Sequence, residues 1–117
     1  MQLQTRNAMK LVFAIVSDED AHRLISELNR ANYRVTRLST TGGFLKSGNT
    51  TLMCGVEDKS LEDALEIIRK YSKSRTTMVN ASMDPTGAIG GFAPYPVQVK
   101  IGGATIFVVD VTHFEHT

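Results

Sequence analysis

Residues 40–51 contain the side chains in this sequence that are best suited to bind a small anion. They read TTGGFLKSGNTT. The adjacent glycines at 42–43 allow backbone conformations that turn amide groups toward an anion, and Lys46 adds a positive charge. The apolar pair at 44–45 stands near the middle of this loop, where burial within one subunit is difficult. A plain hairpin connection is the alternative interpretation, but the apolar pair favours a loop tip that something else covers.

Residues 43–50 partly match the phosphate-binding P-loop pattern GxxxxGK[ST], since they read GFLKSGNT. Asn49 stands where the pattern requires lysine, and the segment leads into a predicted strand instead of a helix whose N-terminus could hold phosphates. We therefore expect no NTP hydrolysis. The Asn49 amide suits another task, because its carbonyl and NH2 groups match the edge of a nucleobase.

Arg34 and Thr36 precede this loop and share one face of a predicted strand, because side chains alternate along a strand. Both side chains contact phosphate oxygens in proteins, and the guanidinium offers paired donors. A solvated sheet edge is the alternative interpretation. Their position beside the glycine-rich loop favours a binding site.

Catalytic and metal-binding patterns are weak. Cys54 lies in a predicted apolar strand and is expected to be a packed thiol. His22 falls on a helix surface, and His113 and His116 lie near the C-terminus, so we expect no metal site. The acidic residues 18–20 suit the dipole at the start of a helix. Because no carboxylate pair forms an acid/base couple, we expect neither enzyme activity nor a cofactor.

The composition of the 117-residue chain is that of one ordinary globular domain, with 42% hydrophobic and 21% charged residues. Its 13 basic and 12 acidic residues give a net charge of +1, so DNA or RNA binding is not expected and an anionic partner should be small. The single cysteine excludes an internal disulfide. No apolar run is long enough for membrane insertion, and residues 1–8 lack the core of a signal peptide, which predicts a cytoplasmic location.

Hydrophobic periodicity predicts the order β-α-β-β-α-β followed by a C-terminal β-hairpin. The first six elements have the order of the α+β ferredoxin-like fold, in which both helices cover one face of an antiparallel sheet. Ser17 with Asp20, and Ser60 with Asp63, predict capping boxes at the helix starts. Strands are expected at 10–16, 33–41, 50–56, 75–83, 97–101 and 104–109, helices from 17 to about 32 and from 60 to 71, with the 102–103 glycines as the hairpin turn.

The first predicted strand is apolar on both faces. One face carries Leu11, Phe13 and Ile15, and the other carries Val12, Ala14 and Val16. Two helices cover only one face, and a monomer in water rarely exposes an apolar face of this size, so we expect a second copy of the chain to cover it. We also expect residues 1–8 to be a flexible extension ahead of a single domain at 9–117.

Several of these motifs together resemble the PII-like cyclic di-AMP receptor proteins of Gram-positive bacteria. The resemblance extends from residue 9 to about 114. It is carried by MKLVFAIV at 9–16, RVT at 34–36, TTGGFL at 40–45, GNTT at 48–51, CGV at 54–56, PYPV at 94–97 and GGATIFV at 102–108.

The resemblance implies a PII-like homotrimer with a ferredoxin-like core, a short loop at 42–49 and a long flexible loop at about 74–95. Such proteins bind cyclic di-AMP in the clefts between neighbouring subunits and perform no catalysis. The ligand then orders the two loops, and the changed surface is recognised by a downstream protein target, which is unidentified here.

The family motifs also imply a set of ligand-binding residues. Phe44, Leu45 and Phe107 would enclose adenine, and Asn49 would match a base edge. Arg34 and Thr36 would hold the phosphate–ribose ring. One position departs from the family: near the C-terminus, family members tend to carry a glutamine where this chain has His116. The implied set is Asn32, Arg34, Thr36, Gly43, Phe44, Leu45, Asn49, Gly55, Phe107 and His116.

Three alternatives have the same general architecture. An ATP-binding PII-type regulator of nitrogen metabolism is the nearest, although in such proteins the two loop lengths are reversed. A small ferredoxin-like isomerase or hydrolase would need an acid/base pair that the sequence lacks. A metal-tolerance trimer is not supported by the placement of the histidines.

Overall fold

The hydrophobic patterns fold into two α-helices and six strands in the computed structural model, which describes residues 8–38, 48–80 and 96–117. The elements are β1 Met9–Ser17, α1 Asp18–Arg30, β2 Val35–Leu38, β3 Asn49–Glu57, α2 Leu61–Tyr71, β4 Arg75–Asn80, β5 Pro96–Ile101 and β6 Ala104–Val111. A 3₁₀ turn, Asp58–Ser60, leads into α2. Both predicted helices are confirmed, and α1 ends two residues earlier than expected, at Arg30 instead of Asn32.

The core sheet is antiparallel and has the strand order β2-β3-β1-β6. With two helices on one side, this architecture is consistent with the predicted ferredoxin-like α+β fold. Two predictions about strand pairing are wrong. The fourth strand of the core sheet is β6 and not the segment beginning at Arg75, and β5 pairs with β4 in a separate two-stranded ribbon instead of forming a hairpin with β6.

Strand composition explains the exchange of partners. The central strand β1 is apolar on both faces and needs an apolar neighbour, which the sequence ATIFVVDV of β6 supplies and the sequence RTTMVN of β4 does not. Gly102 and Gly103 adopt φ angles of +79° and +88°. Such angles favour glycine, and here the two residues carry the chain from the ribbon to the core sheet.

The hydrophobic core lies between the core sheet and the two helices. Alternate residues of β1 and β3 meet the apolar stripes of α1 and α2, as the periodicity predicts. The buried apolar residues are Val12, Ala14, Val16, Ala21, Leu24, Leu28, Leu52, Cys54, Val56, Ala64, Leu65 and Ile68.

The helix starts differ from the predicted capping boxes. Neither Ser17 nor Ser60 caps a backbone N–H with its side chain. The Ser17 hydroxyl instead donates to the carboxylate of Asp20 at 3.0 Å. Asp63 accepts a hydrogen bond from the Tyr33 hydroxyl, which ties α2 to the segment after α1. The predicted capping residues Ser17 and Asp63 therefore make other side-chain hydrogen bonds instead of capping the helices.

Candidate ligand-binding site

Cross-strand register places a set of side chains on the face of the core sheet that is opposite to the helices. The central row crosses all four strands, from Thr36 through Met53 and Phe13 to Phe107. The rows beside it are Gly55, Leu11 and Val109 on one side, and Leu38, Thr51, Ile15 and Thr105 on the other. We call these three rows the open face, because no other element of the described residues packs on it.

Four of the predicted binding residues belong to this side of the sheet. Thr36, Gly55 and Phe107 lie in the rows of the open face, and Asn49 continues the same alternation at the start of β3. Arg34 comes directly before β2 and has the same alternation as Thr36. The structure therefore places on one face of the sheet residues that are far apart in the sequence.

The aromatic residue of this set is unusually exposed. Phe107 keeps 56% of its surface accessible, and Val109 beside it on the same strand keeps 44%. An aromatic ring on an open sheet face offers a stacking surface for a base or a packing surface for another subunit. Either use would remove apolar surface from water.

Among the described residues, nothing packed against Gly55 requires a glycine at this position. A Cβ atom at this position would lie 3.7 Å from the Met9 Cε atom, which is ordinary van der Waals contact. Glycine weakens the interior of a strand, so its presence needs another reason, such as the close approach of a ligand or a second backbone. The position is exposed on the open face and fits such an approach.

The candidate residues lie at opposite edges of the sheet. Thr36 is on the edge strand β2 and Phe107 is on the edge strand β6. Three strand spacings separate them, which is about 14 Å. Met53 and Phe13 fill the row between them. A ligand held by both edges of one chain would have to span this whole row.

The segment between α1 and β2 is built around Asn32, which has a φ angle of +72°. The Asn32 N–H donates to the Asn29 carbonyl at 2.9 Å and the Tyr33 N–H donates to the Leu28 carbonyl at 2.9 Å, which is the Schellman pattern that ends a helix. Asparagine accepts this left-handed conformation better than most residues. The Asn32 side chain is thereby presented just before Arg34.

Tyr33 fixes this corner to the second helix. Its hydroxyl donates to the Asp63 carboxylate at 2.7 Å, and that hydrogen bond is the main cause that raises the pKa of Tyr33. The ring also packs against the core. Because Tyr33 stands between Asn32 and Arg34, it positions both candidate residues. The sequence analysis missed this role, although an apolar ring directly after a helix-ending asparagine is its signal.

Asn49 stands at one end of the sheet beside a shallow pocket of about 220 Å³. The start of β3 is held there by α1, since the Asp18 N–H donates to the Gly48 carbonyl at 2.8 Å and the Thr50 hydroxyl donates to the Asp18 carboxylate. The pocket is lined by Ile15, Val16, Ser17, Asn49, Gly102, Gly103, Ala104 and Thr105. Asn49 is thus close to the junction between the ribbon and the core sheet.

The remaining predicted binding residues are three residues of the glycine-rich loop and His116. Gly43, Phe44 and Leu45 lie outside the described residues, as does Lys46. His116 is exposed in the segment that follows β6, beyond the rows of paired strands.

Cys54 is a packed thiol, as the sequence predicted. It is buried in the core, and loss of solvation raises its pKa to about 11, so the thiol stays protonated near neutral pH. Among the described residues, no group of three or more histidine, cysteine or acidic side chains is arranged to hold a metal ion. The helices within those same ranges are too short or too polar to cross a bilayer.

The comparisons with known proteins agree with the resemblance drawn from the sequence motifs. A family described as cyclic-di-AMP receptor matches residues 9–117. The solved structure of a functionally unknown protein from Pediococcus pentosaceus ATCC 25745 is 44% identical, with a TM-score of 0.75, and the match covers 96% of this chain and 100% of that one. A receptor family consists of binding proteins and is not a known family of enzymes. The chain belongs to the cyclic-di-AMP receptor family.

Proposed function

We propose that the protein binds cyclic di-AMP in clefts between the subunits of a PII-like homotrimer and signals the occupied state to another protein. The observation that carries this proposal is the open face, which contains Thr36, Gly55 and Phe107 on one side of the sheet. Arg34 comes directly before β2, and Asn49 lies at the start of β3. The family match supports the identity of the ligand. The position of these residues supports the place where it binds.

The chemistry of the open face suits a cyclic dinucleotide. The three rows contain no acidic residue, and Arg34 adds a positive charge at one end. The guanidinium binds a phosphate oxygen with paired donors, and the Phe107 ring stacks on adenine. Asn49 offers both a donor and an acceptor to a base edge. The ligand therefore meets both charge and stacking partners.

The separation of the two sheet edges supports binding between subunits. Phe107 and Thr36 are about 14 Å apart within one chain, with other side chains between them. A neighbouring subunit that packs against the open face brings its own Phe107 beside Arg34 and Thr36. The same packing removes the exposed apolar residues of the face from water.

The domain organisation, the cellular location and the signalling step in this proposal are those expected from the sequence. Residues 9–117 form a single domain, the protein acts in the cytoplasm, and no cofactor takes part. His116 and the loop residues Gly43, Phe44 and Leu45 complete the site with Asn32. The ligand orders the loops that follow β2 and β4, and a downstream protein recognises the result.

The test is calorimetric titration of the full chain with cyclic di-AMP, cyclic di-GMP, ATP and AMP, together with light scattering. We expect tight binding of cyclic di-AMP alone, near one molecule per subunit, by a protein that is trimeric with and without ligand. Preferential binding of ATP would support the PII-type regulator of nitrogen metabolism. A stable monomer at micromolar concentration would exclude a site between subunits.

A further inference from the structure

The ribbon formed by β4 and β5 is attached to the rest of the protein mainly at its root. Its two strands pair with each other from Arg75 to Ile101 at one end and from Asn80 to Pro96 at the other. Within the described residues they have only slight contact with the helices and with the core sheet. The contacts at the root therefore decide how the ribbon is oriented.

Arg75 makes most of these root contacts. Its guanidinium forms a bidentate pair with the Asp20 carboxylate, with Nη2 at 2.9 Å from Oδ1 and Nη1 at 3.2 Å from Oδ2. Nη2 also donates to the Glu19 carboxylate at 3.2 Å, and Nη1 donates to the Lys73 carbonyl at 3.0 Å. Asp20 is buried in the first turn of α1. A buried carboxylate thus holds the first residue of the ribbon.

The end of β5 is also packed against Arg75, through Gly102. A Cβ atom at Gly102 would lie only 2.5 Å from Arg75 Nη1 and 2.6 Å from the Lys73 carbonyl oxygen, so the glycine backbone packs directly against the ion pair. The next N–H, of Gly103, donates to the Ser72 carbonyl at 2.5 Å. Both strands of the ribbon are therefore fixed at its root, next to the start of α1 and the end of α2.

The same turn of α1 also holds the start of β3. Asp18 binds both the Gly48 carbonyl and the Thr50 hydroxyl, on either side of Asn49. Three consecutive residues of one helical turn thus support two separate regions, with Asp18 on the Asn49 side and residues 19–20 on the ribbon side. The pocket beside Asn49 reaches the ribbon root, because its lining includes the glycines at 102–103.

We propose that Arg75 is a positioning residue for the ligand response, because its clamp on Asp20 and Glu19 couples the ribbon to the turn of α1 that holds Asn49. This inference rests on the proposed binding of cyclic di-AMP. A ligand that restricts the motion of Asn49 also restricts the first turn of α1, because Asp18 binds the residues on either side of Asn49. Through the pair of Asp20 with Arg75, it then restricts the motion of the ribbon. Coupling of this kind acts in both directions, so a variant that loosens the ribbon is expected to weaken ligand binding.

The experiment compares the full-length wild type with Arg75→Gln by hydrogen exchange and calorimetry, with and without cyclic di-AMP. Arg69→Gln is the matched control, since Arg69 forms a similar pair with Glu62 at 2.8 Å on the surface of α2. We expect Arg75→Gln to speed exchange in the ribbon, to abolish its slowing by ligand, and to weaken binding roughly 3- to 10-fold, as suits a charge-assisted pair that is partly exposed. Arg69→Gln should behave like the wild type.

Two further variants separate coupling from simple stability. Arg75→Lys keeps the charge but cannot form the bidentate pair with Asp20. Ligand should therefore slow hydrogen exchange in its ribbon less than in the wild type but more than in Arg75→Gln. Asp20→Asn should act in the same direction as Arg75→Gln. If ligand slows exchange in the ribbon of Arg75→Gln as much as in the wild type, with unchanged affinity, the inference is wrong. If the wild type binds no cyclic di-AMP, the proposed function fails instead.

Discussion

At the scale of single residues, Asn32 allows the backbone and side-chain contributions to a binding site to be separated. Its φ angle of +72° is one that glycine adopts without strain. Asn32→Gly should therefore keep the free energy of unfolding within about 0.5 kcal/mol of the wild type while it removes the amide. We expect weaker binding of cyclic di-AMP at nearly unchanged stability, measured by calorimetry and denaturant unfolding.

The control for this prediction is Asn32→Ala. Alanine in the same conformation should cost about 1 kcal/mol of stability, because a Cβ without a local polar partner is strained there. Both variants lack the amide, so both should bind more weakly. Binding by Asn32→Gly that equals the wild type would show that the side chain does not contact the ligand.

A second prediction at this scale concerns the response of Asp20 to pH. The hydrogen bonds from Arg75 are the main cause that lowers the pKa of Asp20 below its usual 3.8, Ser17 acts in the same direction, and burial opposes both. A carboxyl group with a lowered pKa in the folded state stabilises the protein above its unfolded pKa and loses that contribution as pH falls through the folded value. The stability lost in Asp20→Asn should therefore be constant at neutral pH and shrink below about pH 4.

Denaturant unfolding between pH 3 and pH 7, at one fixed protein concentration, measures this difference. Glu62→Gln is a suitable control because Glu62 is an exposed partner of Arg69. Its effect should be small at every pH. A stability difference for Asp20→Asn that stays the same down to pH 3 would contradict the assigned role of the pair.

The sequence predicted single residues well where strand alternation decides their position. It placed Arg34 and Thr36 on one face; in the structure Thr36 lies on the open face, and Arg34 comes directly before β2 with the same alternation. It described the acidic residues 18–20 only as charges that suit a helix dipole, which misses the buried pair of Asp20 with Arg75. The two partners are 55 residues apart, and no local spacing links them. Long-range pairs of this kind follow from strand topology, which a local pattern does not contain.

At the scale of elements, both helices and the general positions of the strands could be predicted from hydrophobic periodicity, but strand pairing could not. The two glycines at 102–103 fit a tight hairpin turn and also fit a change from one sheet to another. In a hairpin β6 would pair with β5, whereas in the structure β6 pairs with β1. Eight residue pairs join β1 to β6, from Met9 with Val111 to Val16 with Ala104. The apolar composition of β6 indicated this pairing, but the prediction gave more weight to chain order.

A prediction at this scale tests the junction at Gly102. Gly102→Ala combines an unfavourable φ angle of +79° with a Cβ that would lie 2.5 Å from the Arg75 guanidinium. Gly48→Ala is the matched control, since its φ angle is +91° but no described atom lies within 4 Å. Backbone strain alone should cost each variant about 1–2 kcal/mol. Gly102→Ala should lose more than that in denaturant unfolding, because the ion pair must also move.

The comparison of these two variants decides whether the junction is closely packed. Faster hydrogen exchange in the ribbon is expected for Gly102→Ala and not for Gly48→Ala. Equal losses of stability in the two variants, with an unchanged ribbon, would show that small shifts of the Arg75 side chain and of the backbone at Lys73 relieve the contacts at Gly102.

At the scale of the whole molecule, the open face links assembly to binding. Its central residue Phe13 and the exposed Phe107 belong to the same row. A trimer that buries this face provides cover for apolar side chains and forms three equivalent clefts by the same contact. In the proposed trimer, the candidate residues at the two sheet edges would meet across each cleft, with Arg34 from one subunit and Phe107 from the next.

Mixed trimers test this division directly. Arg34→Ala and Phe107→Ala should each remain trimeric and bind cyclic di-AMP more weakly than the wild type. Phe107→Ala removes the stacking contact, so its binding free energy should fall by roughly 1–3 kcal/mol, and this loss should depend little on salt. The loss for Arg34→Ala should shrink as salt screens the phosphate contact. When the two variants are unfolded together and refolded, about a quarter of the clefts should combine an intact Arg34 with an intact Phe107 from the neighbour, as expected for a heterologous interface. Calorimetry should detect wild-type affinity at these clefts, whereas a site contained within one chain would give none.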